Sequence, residues 1–407
     1  MVPNGWEHKS FKQILKLDRG SSPRPIVNFV TDSDDGVNWI KIGDTKGEAA
    51  FINSTKQKIT KEGAKKSRKV SKGEIILSNS MSYGKPYILN IDGFIHDGWF
   101  VIRNYEQNLE RDYLIQLLGG ELVQRQYKRL AAGGVVTNIS SELVYFVKVD
   151  IPPLPEQCKI ATILRTWDKA ISTTERLIDN SKQQKKALMQ QLLTGKKRLL
   201  DDSGKPFDGE WDWVTLDSIC DVKGGKRLPK GKALLDSPTP HPYIRVTDMY
   251  MGGIKKKEIK YVPIDVAPSI KNYIINKDDL FITVAGTLGL VGEVPHDLDG
   301  ANLTENADKL TNIKCDKKFL LYVMKSRIIQ SYIEAESTQN AQPKLALTRI
   351  RSFKAPQPAL EEQQKISAVL TNADKEVELL EQQLADLKQE KKALMQQLLT
   401  GKRRVIV

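Results

Sequence analysis

"KKALMQQLLTGKKR" occupies residues 185–198 and "KKALMQQLLTGKRR" residues 391–404, differing only where Lys197 becomes Arg403. The copies stand 206 positions apart (391 − 185). A repeat of this length governs how everything between its copies is read, because a duplicated unit has to fold and pack twice. At the same offset, "PPLPEQCKIATIL" from Pro152 falls on "PALEEQQKISAVL" from Pro358, and Asp168-Lys169 falls on Asp374-Lys375. Further upstream the offset drops to about 205, pairing Trp6 with Trp211, Ile14 with Ile219, Leu17 with Val222 and Gly20 with Gly225. "WIKIGD" (39–44) answers "YIRVTD" (243–248), and "KGEIILSNSMSYGK" (72–85) answers "KDDLFITVAGTLGL" (277–290). The chain is two tandem copies of one plan, a globular part followed by a segment ending in Leu-Leu-Thr-Gly-Lys.

The closing segments carry a helical signature. Ile366, Leu370, Ala373, Val377, Leu380, Leu384, Leu387, Leu394 and Leu398 recur in alternating steps of four and three, broken only where Lys391 takes a seam position. Ile160, Leu164, Trp167, Ile171, Thr174, Ile178, Ser181, Lys185, Leu188 and Leu192 keep the same register in the first copy. A helix from Glu362 to Leu399 would run roughly 57 Å at 1.5 Å per residue. Each helix is apolar along one stripe only, so each needs a partner, and the other copy is at hand. Chain order then favours an antiparallel coil with a globular domain at each end and an approximate two-fold axis between them.

The globular parts read differently. Short runs rich in β-formers, such as "EIILSNS" (74–80), "GWFVIRN" (98–104) and "LFITVAG" (280–286), alternate with Gly, Pro, Asn and Asp. Helical patterns cover "ERDYLIQLLGGELVQRQY" (110–127) and "KKFLLYVMKSRIIQSYIEA" (317–335). The expected class is α+β: two α/β domains, 1–151 and 199–357, joined by helical regions 152–198 and 358–407 that form the antiparallel coiled coil with pseudo-two-fold symmetry. The frameworks match while the loops differ, which points to equal tasks on different targets.

Composition narrows those tasks. With 63 Lys+Arg against 50 Asp+Glu the net charge is +13, the sign expected for a polyanion partner. Basic residues cluster in "TKQKITKEGAKKSRKVSK" (55–72) and "KGGKRLPKGK" (223–232). No apolar run reaches the ~20 residues of a membrane span, and "MVPNGWEHKSFKQ" (1–13) is no secretory leader, so the expected location is the cytoplasm, away from membranes. Cys158, Cys220 and Cys315 are far apart and odd in number, which indicates neither a disulfide framework nor a zinc site.

Catalytic motifs are missing. "VDIPPLP" (149–155) lacks the aromatic of an adenine-methyltransferase motif. The two Gly-Lys segments have neither the glycine spacing nor the Ser/Thr of a phosphate-binding loop. The glycines of "VAGTLGLVG" (284–292) read as turn chemistry, and His8, His96, His241 and His296 lack metal-ligand spacing. The expectation is no catalytic residue, no metal and no cofactor, with catalysis left to partners.

"PLPEQCKI" (153–160), the long segment closing on "KKALMQQLLTGK", and its recurrence after the restart "GEWDWVTLDSI" (209–219) together resemble the specificity subunit of type I restriction-modification systems. The second copy departs from the first with Ala359 and Glu361 in place of prolines. The resemblance covers essentially the whole chain. It implies two target-recognition domains, each reading one half of a split double-stranded DNA site, and two helical regions that hold the halves apart and dock two methyltransferase (modification) subunits, through which restriction and motor subunits join. The helices would then act as a ruler for half-sites about one helical turn, ~34 Å, apart.

Base readers are polar or cationic side chains on loops, while Lys and Arg also reach phosphates. For backbone contact the candidates in the first domain are Lys56, Lys58, Lys65, Lys66, Arg68 and Lys69, with Asn79, Ser80, Tyr83 and Lys85 for bases. In the second domain they are Lys226, Arg227, Lys230 and Lys232, with Thr287, Asn302, Thr304, Gln339, Asn340 and Lys344 as readers. For partner docking they are Gln190, Gln191, Gln396 and Gln397, because the repeated glutamines and lysines have no evident seam role that demands identity. Two alternatives stay open: a coiled-coil scaffold presenting two protein-binding domains, and a self-contained DNA methyltransferase.

Overall fold

The computed structural model describes residues 2–45, 51–80, 84–131, 138–337 and 344–406. It divides into two compact units, Met1–Glu175 with Gln382–Val407, and Arg176–Glu381.

In the first unit, fully buried Ile75, Ile76 and Leu77 form the centre of a five-stranded sheet. Its order is Lys16–Arg19, Trp99–Arg103, Ile75–Ser78, Pro86–Leu89 and Phe51–Ile52. A second sheet of five short strands includes Val37–Ile40 running parallel to Gly93–Ile95. The second unit repeats the plan. Asp221–Gly224, Ala307–Thr311, Leu280–Thr283 and Val291–Glu293 make one sheet, and Pro242–Ile244 runs parallel to Ala301–Leu303 in the other. The sequence pairing of "WIKIGD" with "YIRVTD" holds in detail. Each strand leads into a 3₁₀ turn closed by its aspartate, Asp44 accepting from the Lys41 amide and Asp248 from the Arg245 amide, both at 2.8 Å.

Each predicted helix of the globular parts is two helices. Arg111–Gly119 stops at Gly120, whose backbone is extended, and Glu121–Ala131 follows; Lys317–Lys325 stops at extended Ser326, and Arg327–Ser337 follows. Glycine and a helix-capping serine favour breaks that the hydrophobic period does not reveal.

The long helices span Leu154–Leu192 and Leu360–Leu398, 39 residues each. Within each unit their segments run antiparallel. In the first unit Lys391 Nζ donates to Asp168 Oδ1 at 2.6 Å and Lys388 pairs with Glu175 at 2.9 Å. In the second, Lys185 pairs with Asp374 and Lys182 with Glu381. Ile160, Leu164 and Leu398 are buried in the first unit, and Leu192, Ile366 and Leu370 in the second. Each such burial contributes roughly 1.5–3 kcal/mol.

The repeated fourteen residues have duties inside the chain, which corrects the expectation that their lysines have no seam role demanding identity. Lys185 and Lys391 each neutralise an aspartate across the helix pair. Thr194 and Thr400 hydroxyls donate back to the Gln190 and Gln396 carbonyls. Gly195 and Gly401 end the helices at φ +69° and +66°, a conformation that side chains with a Cβ rarely adopt. The final arginines then latch the turn. Arg198 donates through two nitrogens to buried Glu362, which also accepts from the Trp211 indole at 3.0 Å. Arg404 does the same to buried Glu156, which accepts from Trp6 at 3.1 Å.

Candidate nucleic-acid interface

Close approach of two loops builds the candidate surface in each unit. A Cβ on Gly20 would lie 2.0 Å from the His96 carbonyl oxygen, and one on Gly225 2.0 Å from that of Thr304. Only glycine lets these loops nest. The nesting fixes the residues that follow, Ser21 to Arg24 in the first unit and Lys226 to Arg227 in the second, against Asp97 and Glu305.

In the first unit Ser21 Oγ donates to the Lys66 carbonyl at 3.1 Å, Ser67 Oγ to the Ser21 carbonyl at 2.7 Å, and Arg68 Nε to the Arg19 carbonyl at 2.7 Å. These bonds turn the basic run toward one open concavity of about 570 Å³, lined by Lys65, Lys66, Arg68, Lys69 and Arg103 with Ser21, Ser67, Ser71 and Glu74. Five cations against one carboxylate make it a surface for anions. Arg103 donates to Glu74 at 2.8 Å and Asp18 at 3.2 Å, which raises its pKa further. Lys66 also lies 4.6 Å above the Phe29 ring, and Lys65 pairs with Glu62 at 2.8 Å. Lys56 is exposed, and Lys58 donates to the Ser33 carbonyl at 3.5 Å; neither lines the concavity.

Beside it stands Asp97. Burial acts to raise its pKa, but the hydrogen bond from Ser22 at 2.7 Å and the neighbouring His96 outweigh it, and the carboxyl lies below its ordinary range. Burial lowers the pKa of His96 itself. Arg24 approaches Asp97 at 3.7 Å. Asn79 is buried and its amide donates to the Asp97 carbonyl at 2.9 Å; Ser80 is half-buried and Lys85 exposed. Tyr83 lies outside the described residues.

In the second unit Lys226, Arg227, Lys230 and Lys232 are all exposed. Lys226 lies 5.6 Å from the Tyr273 ring, Arg227 pairs with Glu305 at 2.9 Å, and Lys232 pairs with Asp265 at 2.5 Å. Thr287 and Lys344 are exposed, on segments brought together by the bridge between Ala285 and Lys344. Asn302 and Thr304 are buried, Asn302 donating to the Ile270 carbonyl at 3.1 Å and Thr304 Oγ1 to Glu305 at 3.2 Å. Gln339 and Asn340 lie outside the described residues.

Gln190, Gln191, Gln396 and Gln397 are exposed at the helix ends. Gln396 donates to Glu121, at the edge of a groove lined by Leu117, Leu122, Met395 and Leu399. Sequence reasoning missed Arg19, Arg24, Arg103, Asp97 and Glu305. The equivalence of Asp97 and Glu305 would have been the signal, but the spacing between the copies shifts in the loops before them.

No helix of the described residues is long and apolar enough to cross a membrane, and among them no group of three or more His, Cys, Asp or Glu side chains gathers as a metal site.

A family model described as "Type I restriction modification DNA specificity domain" matches residues 3–181 and again 208–389. The chain belongs to this family. Membership assigns it to sequence recognition on DNA within a restriction-modification complex, and not to that complex's catalysis. Among relatives, the type I restriction enzyme MjaVIII specificity subunit of Methanocaldococcus jannaschii is 22% identical over 417 residues, covering 99% of this chain and 94% of that protein. The fold is that of solved specificity subunits. The type I restriction-modification S subunit from M. genitalium matches with a TM-score of 0.59 at 17% identity, over 98% of this chain and 97% of its own. The HsdS subunit from Thermoanaerobacter tengcongensis matches with 0.51 at 18%, over 99% and 98%.

Proposed function

We propose that each unit reads one half of a bipartite, asymmetric double-stranded DNA site. The observation that carries this reading is one scaffold present twice with unlike loops at the nested Gly20 and Gly225 positions. Residues 1–151 and 199–357 act as the recognition domains, and 152–198 and 358–407 as the helical regions that set the unread spacer. Lys65, Lys66, Arg68 and Lys69 meet phosphates in the first unit, Lys226, Lys230 and Lys232 in the second. Asn79, Asn302 and Thr304, buried beneath the loops, hold readers such as Ser80, Lys85, Thr287 and Lys344 in place. Gln190, Gln191, Gln396 and Gln397 offer the same patch twice, fitting two copies of a methyltransferase subunit, through which restriction subunits attach.

Sequencing modified bases in cells that carry the complex tests this. The expected result is a methylated site with two unlike halves and a fixed spacer; one continuous or one palindromic site overturns it. Inserting a whole number of turns into one helical region is expected to lengthen the spacer and leave the bases read unchanged. Replacing Lys65, Lys66 and Lys69 by Gln is expected to lower the slope of log affinity against log salt by about 3, equally for all sequences.

A further inference from the structure

Each unit places a carboxylate beside an arginine on its nested loops, Asp97 with Arg24 and Glu305 with Arg227. In the second unit this is Glu305 with Arg227, Nη2 to Oε1 at 2.9 Å. Resting on the DNA reading above, we propose that Arg227 and Glu305 together read a single G·C base pair from the major groove.

Three chemical considerations support this. A carboxylate facing duplex DNA is repelled by phosphates, so its favourable partner there is a base amine, and cytosine N4 is the amine that carboxylates accept from. Arginine in turn donates in bidentate fashion to guanine O6 and N7. In a G·C pair O6 and N4 are hydrogen-bonded to each other, about 2.9 Å apart. Arg227 Nη2 and Glu305 Oε1 stand at the same hydrogen-bond separation, 2.9 Å, so the pair can offer a donor to O6 and an acceptor to N4 side by side.

The platform beneath is rigid. The Lys226 amide donates to the Leu303 carbonyl at 2.8 Å, the Gly225 amide to the Ala307 carbonyl at 3.1 Å, and the Tyr243 hydroxyl to the Lys226 carbonyl at 2.8 Å. Thr304 holds the other carboxylate oxygen at 3.2 Å. Arg227 is 74% exposed, so the pair adds little to folding, as surface ion pairs do. Both side chains are open to a ligand.

The test uses the complete methyltransferase complex carrying Glu305→Gln or Arg227→Lys, with modified-base mapping and duplex affinity across salt. The expected result is relaxation of one G·C position in one half-site, discrimination there falling about tenfold to a hundredfold. The other half-site, the spacer and the salt slope stay unchanged, and the intact half-site shows that the variant is folded. An unchanged site in both variants overturns the proposal. So does uniform weakening on all sequences with the slope reduced by about one, which would make Arg227 a phosphate contact. Loss of the entire second half-site overturns it too, by making the pair a loop support. If the unsubstituted complex shows no salt-sensitive duplex affinity, the DNA reading itself has failed, independently of this pair.

Discussion

The two units share a framework and differ where the framework meets its surroundings. Trp6, Glu156 and Arg404 in one correspond to Trp211, Glu362 and Arg198 in the other, atom for atom in their hydrogen bonds. On the adjoining sheet the correspondence fails. Register pairs Arg19 with Phe100 and Gly224 with Asp308, so a buried phenylalanine in one unit is a buried aspartate in the other. The difference teaches that the two units share the residues that close each fold while even a buried position of the adjoining sheet has diverged, Phe100 in one and Asp308 in the other.

The largest expected effect comes from breaking the latch. Glu362→Gln and Glu156→Gln each take the carboxylate from an arginine and leave one amide oxygen to accept from it or the indole; at the more buried Glu362 the expected cost is about 3 kcal/mol, the low end for a broken buried pair. Glu362→Gln is expected to cost more, because the Arg198 side chain is 23% exposed and Arg404 43%. Denaturant midpoints of the two variants measure this, and equal midpoints would remove the distinction between the latches.

Asp308 sharpens the contrast between the sheets. Burial raises its carboxyl from 3.8 to about 6, against the pull of Lys344 and Arg351. The folded chain therefore binds a proton more tightly than the unfolded one. The associated stability is present below pH 3.8 and is lost as pH rises through about 6. Asp308→Asn is expected to flatten that decline and to raise stability at pH 8 by about 2 kcal/mol. Thermal unfolding between pH 4 and 8 checks the sign; a variant less stable at pH 8 would show a charge held by its cations.

The smallest effect separates the seam lysines. Asp168 is served by Gln116 and Lys391, whereas Asp374 is served by Tyr322 and Lys185 with Lys325 nearby. Burial and the charge of Lys185 both lower the Lys325 pKa, so removing Lys185 frees Lys325 to take its place. Lys391→Met is expected to cost about 1 kcal/mol and Lys185→Met less than half of that. Equal losses in unfolding midpoint would exclude the substitute role.

The helices, their antiparallel pairing and the strand-rich domains were legible because periodicity and repetition are local to the chain. The Gly20 and Gly225 pairing was visible too, although not its reason, which is a carbonyl 2.0 Å from where a Cβ would stand. Asn79 and Asn302 look like readers in a linear text because both are polar and stand beside turn-forming residues, yet Asn302 lies in the strand Ala301–Leu303. Their burial depends on segments far away in sequence, Asp97 and Ile270, so no local pattern gives it.

By itself the sequence determined the number of units and the class of fold, because duplication and heptad spacing are properties of the order and identity of residues, and its net charge of +13 gave the sign expected for a polyanion partner. Only the tertiary structure decided why the repeated Lys, Thr, Gly and Arg recur, and which acids stand beside which arginines at the loops. The lysine and arginine contacts join residues from 73 positions apart (97 − 24, Arg24 and Asp97) to 248 apart (Glu156 and Arg404), distances that chain closure and packing set and no local spacing encodes.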